Sequence, residues 1–216
     1  MMKLIYFMGR SVCHQIPERS FFILNKQLPL CARCTGIYMG VFLGFLYLFL
    51  RKRWKGNKPP SLKILLSIIF CWIPIIIDGV TSYIGLRESN NMIRLITGFL
   101  FGVFWPVFIL LLKNYQVTKK NSLDIIKDYQ DLIFMICILI PFTGILSVQS
   151  VLIWWMISGI TVGTLMYVYV QMIFILIKNL FFSSYIKLLY FIAFIISAMI
   201  MSGLSWMNHH LLAQYR

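Results

Sequence analysis

Cys13, His14, Cys31 and Cys34 are the residues of this chain best suited to chemistry. Cys31 and Cys34 are three apart, directly after Pro29, where a helix is expected to begin. Their thiols then face one way, and Cys31 at least feels the positive end of the helix dipole. Arg33 lies between them, and such a setting favours thiolate, the form that binds metal or attacks a disulfide. With Cys13 and His14 upstream, three sulfurs and one imidazole supply the donor count of a closed tetrahedral zinc site. Zinc or copper is therefore the expected cofactor. Adjacent ligands such as Cys13 and His14 need a bent backbone, and His209 or His210 are alternatives to His14. The same sulfurs also support an exchangeable Cys31–Cys34 disulfide with Cys13 as relay thiol, the chemistry of a membrane oxidoreductase. A disulfide that only staples the N-terminal segment to the first helix uses them equally well. Cys71 and Cys137 sit alone in apolar stretches and read as small core residues.

A second constellation runs from Pro74 to Gly98. Asp78 is the one acidic residue well inside an apolar stretch, and a carboxylate there is costly unless paired or hydrated. Its natural partner in the sequence is Arg94, with Glu88 and Asn91 in the polar turn between them. An ion pair tying two helices together accounts for these residues. So does a site for an anionic lipid head group, with Arg19, Arg33 and Arg94 as donors.

These groups must be held by helices in a membrane. The 216 residues are 60% hydrophobic and 12% charged, with mean hydropathy +0.85. Too little polar surface is present to cover a soluble globule. The apolar residues fall in runs long enough to cross a bilayer: about Leu30–Leu50, Leu62–Ile84, Met92–Leu112, Leu132–Val148, Val151–Ile177 and Tyr185–Trp206. The expected fold is all-α, a polytopic protein of about six transmembrane helices with a Cys/His-containing N-terminal segment. Residues 1–112 form its motif-bearing part, and 113–216 add three further helices within one membrane domain. Met1–Met8 is too short an apolar run for a signal peptide and is expected to remain on the protein. Glycines four apart, at 36, 40 and 44, at 98 and 102, and at 159 and 163, are expected at close helix contacts. Pro74, Pro106 and Pro141 are expected to mark kinks.

The net charge of +14 invites a nucleic-acid reading until the positions are compared. Arg51, Lys52, Arg53, Lys55, Lys58 and Lys63 lie in one loop, Lys113, Lys119, Lys120 and Lys127 in the next but one, and Lys178 and Lys187 beside the last short one. Alternate basic loops are cytoplasmic by the positive-inside rule, although basic residues before the first span oppose it. The expected location is the cell membrane, with both termini outside, the bilayer as partner and no nucleic acid.

Four stretches together resemble a family of predicted bacterial and archaeal membrane proteins classed as a domain of unknown function. They are Cys-His-Gln-x-Pro-Glu-Arg-Ser-Phe from Cys13, Pro-Leu-Cys-Ala-Arg-Cys-Thr-Gly-Ile-Tyr-x-Gly from Pro29, Pro-x-x-x-Asp-Gly-x-Thr from Pro74, and Glu-Ser-Asn-Asn-x-x-Arg-x-x-Thr-Gly from Glu88. The resemblance spans about residues 10 to 105. It implies a shared unit made of the N-terminal segment and the first three helices, and it names no activity. Ser82 stands where the resemblance leads one to expect a glutamine.

Overall fold

The computed structural model describes residues 1–117, 120–180 and 185–214; Lys119 lies outside them. A short helix α1 (Met2–Arg10) opens the chain. A 3-10 turn (Pro17–Arg19) and a two-stranded antiparallel hairpin, β1 (Phe22–Ile23) and β2 (Lys26–Gln27), follow it. Then come α2 (Ala32–Leu50), α3 (Leu62–Tyr83), α4 (Asn91–Asn114), α5 (Tyr129–Cys137), α6 (Leu139–Leu146), α7 (Val151–Leu180) and α8 (Ile186–Gln214). Six stretches are long and apolar enough to span a membrane, α5 and α6 together making the fourth. These six match the six runs expected from hydropathy. Short α1 was absent from that expectation because it carries no membrane-length run.

Local chemistry sets the helix ends. Asn90 caps α4, its Oδ1 accepting from the Ile93 N–H at 2.8 Å. Cys31, in extended conformation after Pro29 and Leu30, is the N-cap of α2, so Cys34 falls in the first turn. The fourth span breaks at Ile138, next to Pro141, which has no N–H for the carbonyl of Cys137 and crowds it. By contrast, α3 and α4 run continuously through Pro74 and Pro106.

The most extensive helix contact is between α2 and α4. A Cβ on Gly36 would come within 2.2 Å of the Leu95 carbonyl oxygen, one on Gly44 within 2.3 Å of that of Val103, and one on Gly102 within 2.0 Å of that of Ile37. Backbone touches backbone along the whole seam, which is how helices associate where no hydrophobic force separates lipid from protein. Gly159 and Gly163 depart from this expectation. No atom lies within 4 Å of a Cβ built on either, and both line an open groove of about 480 Å³ with Phe42, Phe45, Trp54 and Tyr167. Helix α3 leans on α4 and presents Leu66, Phe70, Ile76 and Ile77 outward, an apolar surface suited to lipid.

Polar contacts sort the loops onto two ends. At one end the 51–61 and 115–128 loops pair: the Asn57 and Lys58 N–H groups both donate to the Leu123 carbonyl at 2.9 Å, and Lys58 meets Asp124 at 2.9 Å. Buried Asp131 gathers Arg53, the Tyr47 hydroxyl (2.6 Å) and the Lys127 N–H (2.9 Å) there. At the other end, Asn91 Nδ2 donates to the Glu18 and Ser20 carbonyls, Gln149 Oε1 accepts from the Leu24 N–H, and Asn208 Nδ2 donates to the Arg10 carbonyl. The N-terminal segment, the 84–90 turn, the 147–150 turn and the end of α8 therefore share one face.

Candidate metal centre and its arginine surround

Two glutamines hold the N-terminal segment in place. Gln15 Nε2 donates to the Tyr6 carbonyl at 2.7 Å and the Pro29 carbonyl at 2.8 Å, bridging α1 to the entrance of α2. Gln27 Nε2 donates to the Gln15 carbonyl at 2.9 Å and Ser20 Oγ at 3.0 Å, while the Gln27 carbonyl accepts from the Tyr6 hydroxyl and from Trp154 Nε1. Ile23, Leu28 and Leu30 are fully buried beneath this network. The outcome is a small packed cap over the ends of the helices.

Within the cap, Gln15 adopts φ 53°, a left-handed conformation that folds the chain back just after Cys13. This turn aims the Gln15 N–H at Cys13 Sγ (3.5 Å), and the Cys31 N–H reaches the same sulfur at 3.1 Å. Cys13 is buried, and the sulfurs of Cys13, Cys31 and Cys34 all lie within 4.8 Å of one another. In a tetrahedral site with bonds of about 2.3 Å, sulfurs stand about 3.8 Å apart, so the cluster needs only a small contraction to close on an ion. Hydrogen bonds from the neighbouring thiols hold the Cys31 thiol well below its ordinary range, and the contact with Cys31 pushes Cys13 up.

His14 is exposed and stands outside the three-sulfur group, because the turn that brings Cys13 inward sends the next side chain out. His14 does line the cavity of about 170 Å³ beside the cluster, together with Arg19, Arg33 and Arg94. His209 and His210 are exposed at the end of α8, and His210 packs on Trp206.

The ion pair expected between Asp78 and Arg94 does not form. Asp78 is 1% exposed and meets Arg33 through Oδ2, and Arg87 (2.9 Å) and the Ser89 hydroxyl through Oδ1. Arg33 prevails because α2 enters the bundle beside α4, bringing its first-turn side chains within reach of the end of α3. Arg87 and Ser89 come from the polar turn that follows α3. Arg94 instead bonds Asn91 Oδ1 at 3.2 Å and lies 3.5 Å from Ser82 Oγ. Glu88 is exposed, on a polar cavity of about 390 Å³ that Glu18, Arg19, Arg87 and Arg94 also line.

A polytopic helical membrane protein with a cysteine cluster under a folded N-terminal cap is the class that this architecture defines. Within it, the chain belongs to the family of predicted membrane proteins designated DUF2085, which residues 13–108 match. It is 43% identical over 118 residues to an uncharacterized protein of Methanocaldococcus jannaschii, an alignment covering 54% of this chain and 72% of that protein. It is 42% identical over 105 residues to an uncharacterized protein of Methanothermobacter thermautotrophicus, covering 49% of this chain and 90% of that one. No solved structure matches the chain.

Proposed function

We propose that Cys13, Cys31 and Cys34 hold a soft or borderline metal ion, zinc or copper, at one face of the membrane. The observation that carries this reading is the convergence of the three sulfurs within 4.8 Å, two of them from α2 and its cap and one from the folded segment. Backbone N–H groups aimed at Cys13 Sγ supply the outer hydrogen bonds that orient and stabilise a metal-bound thiolate. Three protein donors leave a fourth position for water, a small ligand or a swung-in His14, the arrangement of a working centre rather than a closed structural one. The functional unit is the N-terminal segment with α2 to α4. The matched residues 13–108 support this division, with the last spans as a separate addition.

Protein purified without chelator is expected to carry about one zinc or copper per chain, the stoichiometry of a single site. Cys34→Ser is expected to lose it, and acidification to release it, since protons compete for the sulfurs. Metal-free protein with Cys31 and Cys34 joined in cells by a disulfide that mild thiols reduce would overturn the metal reading in favour of thiol exchange.

The basic loops 51–63 and 113–127 favour the cytoplasm for the opposite end, and hence the outside for the cysteine face. With labelling of the parent's own cysteines as baseline, Lys55→Cys is expected to resist a membrane-impermeant thiol reagent in intact cells, and Leu86→Cys to react. Both positions are exposed. The reverse pattern would put the cluster in the cytosol.

A further inference from the structure

Arg94 is a buried cation without a carboxylate partner among the described residues. The residue is 9% exposed, and among the described residues its guanidinium hydrogen-bonds the neutral Asn91 Oδ1 and Ser82 Oγ. The nearby carboxylate, Asp78, is taken up by Arg33 and Arg87. Burial and the like charges of Arg19 and Arg33 act against the Arg94 guanidinium, and Asp78 and the Cys31 sulfur offset them in part. A largely buried guanidinium whose hydrogen bonds go to neutral groups is unfavourable, and a bound anion lowers that penalty.

The space for such an anion adjoins it. Arg94 and Arg19 both line the polar cavity of about 390 Å³ between the cap and the 84–90 turn, and both also line the smaller cavity on the cysteine side. Arg19 makes no ion pair among the described residues, and its guanidinium lies 5.8 Å from the centre of the Tyr83 ring, which restricts it without neutralising it. Glu18 and Glu88 also line the larger cavity, but both are exposed at its rim, where water screens them. Ser82, whose hydroxyl meets Arg94, also lines this cavity.

We infer that this cavity binds a phosphate group, with Arg94 and Arg19 as its donors. Guanidinium forks match phosphate oxygens two at a time, and two of them from different elements define a site for one multiply charged oxyanion. The exposed apolar residues Ile76, Ile77 and Val80 of α3 precede Ser82 and Gly85, which line the cavity, so a phospholipid can present its head group while its chains follow the helix. Free phosphate would use the same donors. The inference does not depend on the metal centre.

The test uses the detergent-solubilised full chain, titrated with short-chain phosphatidic acid and separately with inorganic phosphate, with binding read by native mass spectrometry and calorimetry. The parent is expected to bind at least one probe, and Arg94→Gln to bind it about ten- to hundred-fold more weakly, the range of one charge-assisted contact. Arg19→Gln should weaken the same probe; half-buried and without an ion pair, it is the deciding variant if Arg94→Gln does not fold. Binding of the lipid alone identifies a head-group site, and binding of inorganic phosphate with the same arginine dependence identifies a site for the free ion. Failure of both probes to bind the parent, or unchanged binding in the deciding variant, overturns the inference.

Discussion

Gly102→Ala is expected to prevent stable folding. The added methyl would stand 2.0 Å from the Ile37 carbonyl oxygen and under 3 Å from two further backbone atoms of Ile37. None of these can rotate away as a side chain can. The helices must separate by more than an ångström, and the displacement propagates to the Gly36–Leu95 and Gly98–Arg33 contacts on the same seam. Overpacking of this kind costs about 1–3 kcal/mol where neighbours can yield and more where they cannot, so a loss of about 3 kcal/mol or more is expected. Gly159→Ala is the matched control. It too places a methyl on a helix glycine, but into open space, and relief of glycine's helix penalty should leave it as stable as the parent or up to about 1 kcal/mol better. Folded yield and thermal aggregation in one detergent, measured side by side, check the contrast. Equal stability of the two variants would mean that α2 and α4 do not meet along their glycines.

Asp78→Asn is expected to be the most damaging of the conservative polar changes. It keeps size and shape but removes the one charge that compensates Arg33, whose side chain is largely buried. Breaking a buried pair by deleting one partner costs about 3–5 kcal/mol. Arg87 also loses its counter-charge, but it is exposed and water can hydrate it. The second-site change that restores folding should therefore be Arg33→Gln, with Arg94→Gln having no such effect. Rescue by Arg94→Gln instead would reinstate the pairing that reading along the chain suggests. Recovery of the folded double variant Asp78→Asn/Arg33→Gln, followed by metal analysis, also asks whether the pair serves the neighbouring cysteines.

That difference between Arg33 and Arg94 illustrates what the sequence could convey. The six spans were legible because hydropathy over about 20 residues is a one-dimensional quantity and the bilayer imposes the length. The glycine seam of α2 and α4 was legible as a set of faces, since spacing of four repeats on one side of a helix. Which faces meet was not, and Gly159 and Gly163 have the same spacing without the contact. The convergence of Cys13 on Cys31 and Cys34 was readable as a ligand inventory. The exposed position of His14 was not, because it goes with the left-handed turn at Gln15, a residue that local composition does not mark. Gln15 and Gln27 were invisible for the same reason: an amide is a structural keystone only once the carbonyls around it are placed. Asp131 went unnoticed because it opens its span rather than sitting within it. Its role appears only when the Arg51–Lys63 loop folds against the start of α5.

The dependence of α2 on later elements has a consequence for biogenesis. This helix is the least hydrophobic of the six spans and has Arg33 in its first turn. Its counter-charge and its closest packing partners are encoded downstream: the Asp78 carboxylate at the end of α3, and the carbonyls of Leu95 and Phe99 that face Gly36 and Gly40. As the chain leaves the ribosome, the first span arrives without its counter-ion and without the surface that its missing side chains fit. The contacts that complete its packing become available only once α3 and α4 have been made. The same holds for the N-terminal cap, whose anchorage through the Glu18 and Ser20 carbonyls needs Asn91 at the head of α4.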